Sequence, residues 1–402
     1  MLMSNATAEE SAFFDLLDSC VQKARLRFVL PERTVNIGRS AAPTDEADFI
    51  LRVSDPAFFG RVLGEGNLGL AETFMSEGWR LEKGALEGFL LVLMQSRVDQ
   101  KVRHDPRMLL RMAALRARQL LRGTRANVQA HYDIGDDLYA SFLDESRGYS
   151  CGYQESPDDT SEQLQENKYE RICQKLRLRE GETLFDLGCG YGGLMIHAAR
   201  RHGVRARGVT NSRAHCDFAM RRIRELGLEG RVAVELGDLR EVRGTYDKVV
   251  SVGVFEHLYP HEQPAFFETY RRILADDGLA MLHTIGCVTA KNEPDPFIQK
   301  YIFPGSAQSP LSRIVGSIEK KGMAVLDVEN MRGHYSVTTK AWLDRFRDNR
   351  HTLDPRKYDG PFLRMWEYYL ALCVAGARAS DGALFQVLFT SNYRRDFPLV
   401  RV

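Results

Sequence analysis

Leu184-Phe185-Asp186-Leu187-Gly188-Cys189-Gly190-Tyr191-Gly192-Gly193 decides how this chain is read. An apolar run that ends in an acid and then breaks into glycines closes a strand and opens a helix. Glycine lets the backbone turn tightly and approach a ligand where a Cβ would collide. Gly188, Gly190 and Gly193 also satisfy the dinucleotide fingerprint, so their spacing alone does not choose a ligand. A nicotinamide cofactor wants an acid about 20 residues on to hold its ribose. The next strand ends Gly208-Val209-Thr210-Asn211-Ser212, without a carboxylate.

Outward from this loop, strands are predicted at 183–187, 205–209, 232–235, 248–252 and 278–284, and helices at 193–202, 214–226 and 265–274. Such alternation implies an α/β fold with a doubly wound, Rossmann-like parallel sheet, whose ligands sit at the carboxyl ends of the strands. Upstream the pattern differs. A helix at 9–24 precedes two alternating runs, 26–38 and 47–55, which predict a hairpin across a polar turn. Helices at 55–63, 68–77 and 86–98 complete a smaller N-terminal α+β accessory domain over 1–100. Between 101 and 125, Lys101, Arg103, Arg107, Arg111, Arg116, Arg118, Arg122 and Arg125 face only Asp105, with leucines interleaved. This basic helical linker reads either as a solvated connector or as a helix lying on an anionic membrane surface. The main domain then occupies 126–402.

Composition narrows the function classes. With 402 residues, 55 Lys plus Arg and 54 Asp plus Glu, the net charge is +1, which argues against a chain devoted to nucleic acid. The longest apolar runs, 88–94 and 368–377, are too short to span a bilayer, and the N-terminus has neither basic leader nor apolar core. Seven cysteines show no paired metal spacing, so no metal is expected; Cys216, Cys287 and Cys373 read as reduced thiols of a cytoplasmic protein.

Asp186, two residues before the first loop glycine, follows the pattern of S-adenosylmethionine-dependent class I methyltransferases. An acid there can meet the methionine ammonium while glycines border the adenosine. Asp238 after the third strand can accept from the adenine amine, or simply cap a helix. These residues sit inside a longer resemblance. His131-Tyr132-Asp133-Ile134-Gly135, Tyr149-Ser150-Cys151-Gly152-Tyr153, Phe255-Glu256-His257, Leu282-His283-Thr284-Ile285-Gly286, Tyr301-Ile302-Phe303-Pro304-Gly305 and Gly333-His334-Tyr335 resemble, in order, blocks of the cyclopropane-fatty-acyl-phospholipid synthase family, which includes mycolic-acid methyltransferases.

The resemblance implies transfer of a methylene equivalent from S-adenosylmethionine to the double bond of unsaturated phospholipid acyl chains. Methyl transfer to one alkene carbon leaves positive charge on the other, and loss of a proton from the new methyl closes the ring. The site must supply a base, stabilise the cation and exclude water. In the resembled family the base is a bound bicarbonate. Its cage maps onto Glu256, His283 and Tyr335, with backbone donors at Cys151 and Ile285. Cofactor contacts map onto Tyr149, Ser150, Asp186, Gly188, Gly190, Thr210, Asn211, His215 and Asp238. His215 stands where many members have glutamine. Leu258-Tyr259-Pro260 departs from the usual Val-Gly after Glu-His, which leaves methyl-branched or methylene products open beside cyclopropane. A small-amine N-methyltransferase and a lipid-binding scaffold with a vestigial cofactor fold are the competing readings. The resemblance further implies a homodimer held peripherally at the inner face of the membrane.

Overall fold

The computed structural model describes residues 7–39, 46–98, 135–288, 294–379 and 382–392. The basic segment 101–125 and the block His131–Ile134 lie outside the described residues. Two compact units emerge. One comprises 1–121, 295–304 and 346–380; the other comprises 122–294, 305–345 and 381–402.

In the first unit, helix α1 (Ala8–Cys20) precedes strands β1 (Arg25–Val29), β2 (Thr34–Gly38) and β3 (Phe49–Val53). Helices α2 (Phe58–Glu65) and α3 (Asn67–Met75), strand β4 (Trp79–Lys83) and helix α4 (Leu86–Gln95) follow. The sheet order is β2-β1-β3-β4. The expected hairpin between runs 26–38 and 47–55 is corrected here. The hairpin lies inside the first run, Arg25 pairing with Gly38 and Val29 with Thr34, while β3 joins β1 in parallel. The turn falls at Pro31-Glu32, where proline cannot donate to a ladder. Phe13, Phe14, Phe28, Phe58 and Phe59 meet mostly edge to face and form the core.

A single division at 101–125 does not provide for two later segments, 295–304 and 346–380, which belong to the first unit. A long apolar helix at 360–379 packs on α3 and α4, and its Tyr368 hydroxyl donates to Asn67 at 2.5 Å. Buried Glu87 is held by Arg347 at 3.0 Å.

The second unit carries α5 (Asp136–Phe142), α6 (Ser161–Leu176), β5 (Thr183–Leu187), α7 (Gly193–His202), β6 (Arg205–Thr210), α8 (Arg213–Glu225), β7 (Val232–Leu236) and β8 (Tyr246–Val252). Next come α9 (Gln263–Ile273), β9 (Leu274–Cys287), the two-residue β10 (Ser309–Pro310), α10 (Leu311–Glu319), β11 (Ala324–Asn330), α11 (Arg332–Asn349, which runs past the unit's edge) and β12 (Gly382–Thr390). The sheet runs β11-β12-β9-β8-β5-β6-β7, parallel from β9 to β7 and antiparallel at β12 and β11. Because the chain winds outward from β5 to β7 and returns to β8 on its other side, the switch point falls beside β5. Ligands of doubly wound sheets bind there. Apolar residues on both sheet faces, Leu184, Val250 and Met281 on one and Phe185, Val249 and Leu282 on the other, bury it between helix layers.

Candidate active site

At the carboxyl ends of β5, β6 and β8 a cavity opens, lined by the glycine loop, Thr210, Asn211, His215, Asp238, Tyr149 and Ser150. All nine residues expected to touch the cofactor line this one cavity. Gly188 is held at φ +98°, and a Cβ there would stand 2.3 Å from Val254 Cγ2, so only glycine fits. Tyr149 is wedged among Tyr139, Phe142 and Trp342 with ring centroids 5.3–5.8 Å apart. Asp238 serves as a cap and also faces the cavity. Its Oδ1 accepts from the Arg240 amide at 2.9 Å to cap a short 3-10 turn. The Arg240 guanidinium holds the same carboxylate.

Asp186 is a buried acid of the cavity. Its Oδ1 is buried without a hydrogen-bond partner, and burial raises its carboxyl to about 7 against the pull of the Lys168 charge. A buried acceptor left unsatisfied is costly, and a ligand donor in the cavity relieves that cost. Lys168 on α6 completes this corner. The residue is 1% exposed, and its ammonium donates to Ser150 Oγ at 2.8 Å and to Gln165. Burial lowers it to about 8, with Asp144, Cys151 and Asp186 opposing the fall. An orphaned carboxylate oxygen and a buried ammonium facing one cavity suit a zwitterionic amino-acid group, so the residues present fit the methionine end of S-adenosylmethionine.

The five expected cage residues do not line that cavity: Cys151, Ile285 and Tyr335 pack together, Glu256 accepts from the Ile285 amide, and His283 stands two residues before Ile285 on β9. Gly253, which lines the cavity, lies near both groups, since a Cβ there would stand 3.6 Å from Ser150 Cβ and 3.9 Å from Glu256 Oε1. Glu256 accepts from Thr284 Oγ1 at 2.9 Å and from the Ile285 amide at 3.3 Å, so that amide serves the carboxylate. Burial nonetheless lifts Glu256 to about 7. Cys151 packs with Met331 and Leu384, and Ile285 and Tyr335 close over this group. Burial pushes the Cys151 thiol up to about 12, so it is no nucleophile at neutral pH.

His283 is buried and its ring is held neutral, its pKa driven down by burial and by Lys168 and Lys175. Its tautomer is set by a relay. Lys175, which can only donate, bonds Gln386 Oε1 at 2.7 Å and pairs with Glu329. The Gln386 amide nitrogen therefore faces His283 Nδ1 at 3.2 Å and donates to it. The ring proton then sits on Nε2, which is buried with no partner. A neutral imidazole thus presents a fixed, unspent N–H donor, which fits an anion such as bicarbonate.

A family profile described as mycolic acid cyclopropane synthetase matches residues 120–387. The chain belongs to this family. It is 34% identical to the cyclopropane-fatty-acyl-phospholipid synthase of Escherichia coli K12 over 90% of this chain and 91% of that one. It is 30% identical to a sphingolipid C9-methyltransferase of Komagataella phaffii, covering 66% and 58% of the two chains. Among solved structures it is similar to a cyclopropane synthase from Mycobacterium tuberculosis, with TM-score 0.63, 27% identity and coverage of 66% and 97%. A mycolic acid cyclopropane synthase complexed with SAH and CTAB aligns with TM-score 0.62, 29% identity and the same coverage. This member of the cyclopropane synthetase family is accordingly an S-adenosylmethionine-dependent enzyme of the cyclopropane synthase and methyltransferase class.

In this synthetase-family chain, sequence reasoning missed Lys168, Thr284, Lys175 and Gln386. The capping box Thr160-Ser161-Glu162-Gln163 announces α6, and Lys168 falls on its buried face beside Leu164 and Ile172. A lysine within an apolar stripe was the available signal. Gln386 lies in a run of otherwise apolar strand residues, the analogous signal in β12. His257 and His215 also line the cavity, each lowered to about 4 by burial, and the His215 ring lies 4.2 Å from that of Tyr191. Among the described residues no helix is long and apolar enough to cross a membrane.

Proposed function

We propose that this enzyme cyclopropanates unsaturated acyl chains of membrane phospholipids, using bound bicarbonate as the base. The observation that carries the reading is the buried His283 Nε2 donor facing no protein acceptor, two residues along β9 from Ile285, which packs with Cys151 and Tyr335 and whose amide donates to Glu256. A reaction that only moved a methyl to an amine would not need a buried anion cage.

When bound, S-adenosylmethionine supplies an electrophilic methyl group on a sulfonium. Asp186 takes the ammonium of its methionine end, Lys168 and Ser150 its carboxylate, and Asp238 the adenine amine. Bicarbonate, when bound, supplies a base of suitable strength at neutral pH. His283 Nε2–H and the Tyr335 hydroxyl hold and orient it, and Glu256, with its raised carboxyl, shares a proton with it rather than repelling it. A cage closed from solvent protects the alkyl cation from water.

The accessory unit and the basic 101–125 segment are the lipid-directed parts in this reading, engaging an anionic inner-leaflet surface. A homodimer is part of the same reading. Relatives named both for cyclopropane formation and for methyl transfer make a methyl-branched or methylene chain the alternative product. Lipid mass spectrometry after expression in a host lacking the activity decides. A gain of CH₂ with loss of the double bond supports cyclopropanation; the same gain with a retained double bond assigns the alternative. Unchanged lipids, or a rate insensitive to bicarbonate depletion and resupply, would overturn the proposal.

A further inference from the structure

Away from the cofactor cavity, Cys173, His197 and His202 converge from two helices, and Glu170 hydrogen-bonds both imidazoles. Glu170 and Cys173 lie one turn apart on α6 and share a face. His197 and His202 come from α7. Cys173 is fully buried, while the His197, His202 and Glu170 side chains are 10%, 20% and 34% exposed, which leaves an entry path. The Cys173 sulfur and one nitrogen of each imidazole lie within 4.8 Å of one another. Both imidazoles aim Nε2 at the same carboxylate oxygen, Glu170 Oε2, at 3.0 and 3.1 Å.

A sulfur, two imidazole nitrogens and a carboxylate oxygen form a donor set that tetrahedral zinc accepts. With metal–ligand bonds of about 2.0 Å, a tetrahedral N···O edge is roughly 3.3 Å, close to the separations already present. We propose that Glu170, Cys173, His197 and His202 form a site for one divalent cation of the zinc class. Cation entry draws the sulfur inward and releases the thiol proton to solvent. Each imidazole moves its proton from Nε2 to Nδ1, with no net proton change. Thiolate and carboxylate then balance the two positive charges, which a half-buried site requires. Thiolate and imidazole ligands disfavour magnesium and calcium.

The cation ties α6, which carries Lys168, to α7, which opens at the glycine loop, and so braces two walls of the cofactor cavity. Sequence spacing gave no hint of this site, because its two ligand pairs lie on separate helices and meet only through packing.

The full-length protein, stripped with chelator and dialysed, is titrated with cobalt(II). One equivalent should bind with thiolate-to-metal charge-transfer absorption, and zinc should displace it and raise the thermal midpoint. Cys173→Ser should abolish that absorption. His202→Gln, at the accessible end of α7, should fold normally, weaken cobalt binding about tenfold or more, and remove most of the zinc-induced rise. Cobalt binding without a thiolate band, or unchanged binding in both variants, would reduce the cluster to a hydrogen-bonded carboxylate. These readouts do not involve turnover, so their failure leaves the proposed reaction untouched.

Discussion

Glu256→Gln separates a catalytic burden from a structural contact. Burial moves this carboxyl from 4.5 to about 7 despite donors at Thr284 and Ile285. At about 1.4 kcal/mol per pH unit, holding it ionised in the folded protein costs roughly 3 kcal/mol above pH 7. Glutamine keeps the volume and removes the charge, but turns an amide toward one of the two donors, a loss of about 1 kcal/mol. The net expectation is a gain of about 2 kcal/mol at pH 8, or roughly 4–8 °C in midpoint for a domain of this size. Because the folded pKa is raised, the carboxyl's favourable contribution is fully present below 4.5 and is lost as pH rises through about 7. The stability gap between variant and native enzyme should therefore open between pH 4.5 and 7 and level off above. Denaturation at pH 5 and pH 8, calorimetric titration with S-adenosylhomocysteine and a turnover assay check this together. Affinity should persist while turnover falls about 100-fold or more. A variant equally destabilised at both pH values would make Glu256 a plain structural acceptor, and parallel loss of affinity and turnover would move it into the cofactor site.

Lys168→Met should weaken S-adenosylhomocysteine about 10- to 100-fold, the worth of a buried charge-assisted hydrogen bond. Methylthioadenosine, which lacks the amino-acid end, should bind unchanged, and equal weakening of both would refute the assignment. In the native enzyme, affinity should peak between pH 7 and 8, falling below as Asp186 protonates and above as Lys168 loses its proton. Gln386→Leu removes the donor at His283 Nδ1; ¹⁵N NMR of the labelled ring should show a mixture of tautomers, with a lowered rate and normal cofactor binding. A ring still wholly Nε2–H would show that Gln386 does not set it. Gly188→Ala forces a Cβ into Val254 at φ +98° and should abolish cofactor binding, as followed by calorimetry; retained affinity would mean the loop yields.

Local periodicity and residue chemistry in the sequence determined the parallel part of the methyltransferase sheet, though not its antiparallel strands β11 and β12. β5 and α7 fall where the glycine loop requires, and Asp186 is marked by standing at a strand end before glycines. That the nine residues expected at the cofactor line one cavity was legible because strand–loop–helix units bring the ends of neighbouring strands together by a fixed topology. Other features depended on which surfaces meet, and periodicity carries no such information. The first hairpin was misplaced because alternation identifies strand-forming residues but not their partners. The apolar 360–379 helix reads the same whichever unit buries it; only packing against α3 and α4 assigns it. His283's tautomer is fixed by Gln386 and Lys175, far along the chain, because a proton's place on an imidazole follows from which donor faces its other nitrogen. Lys168 likewise became a site residue only once α6 lay against the end of β5, where burial sharpens its charge and Asp186's together.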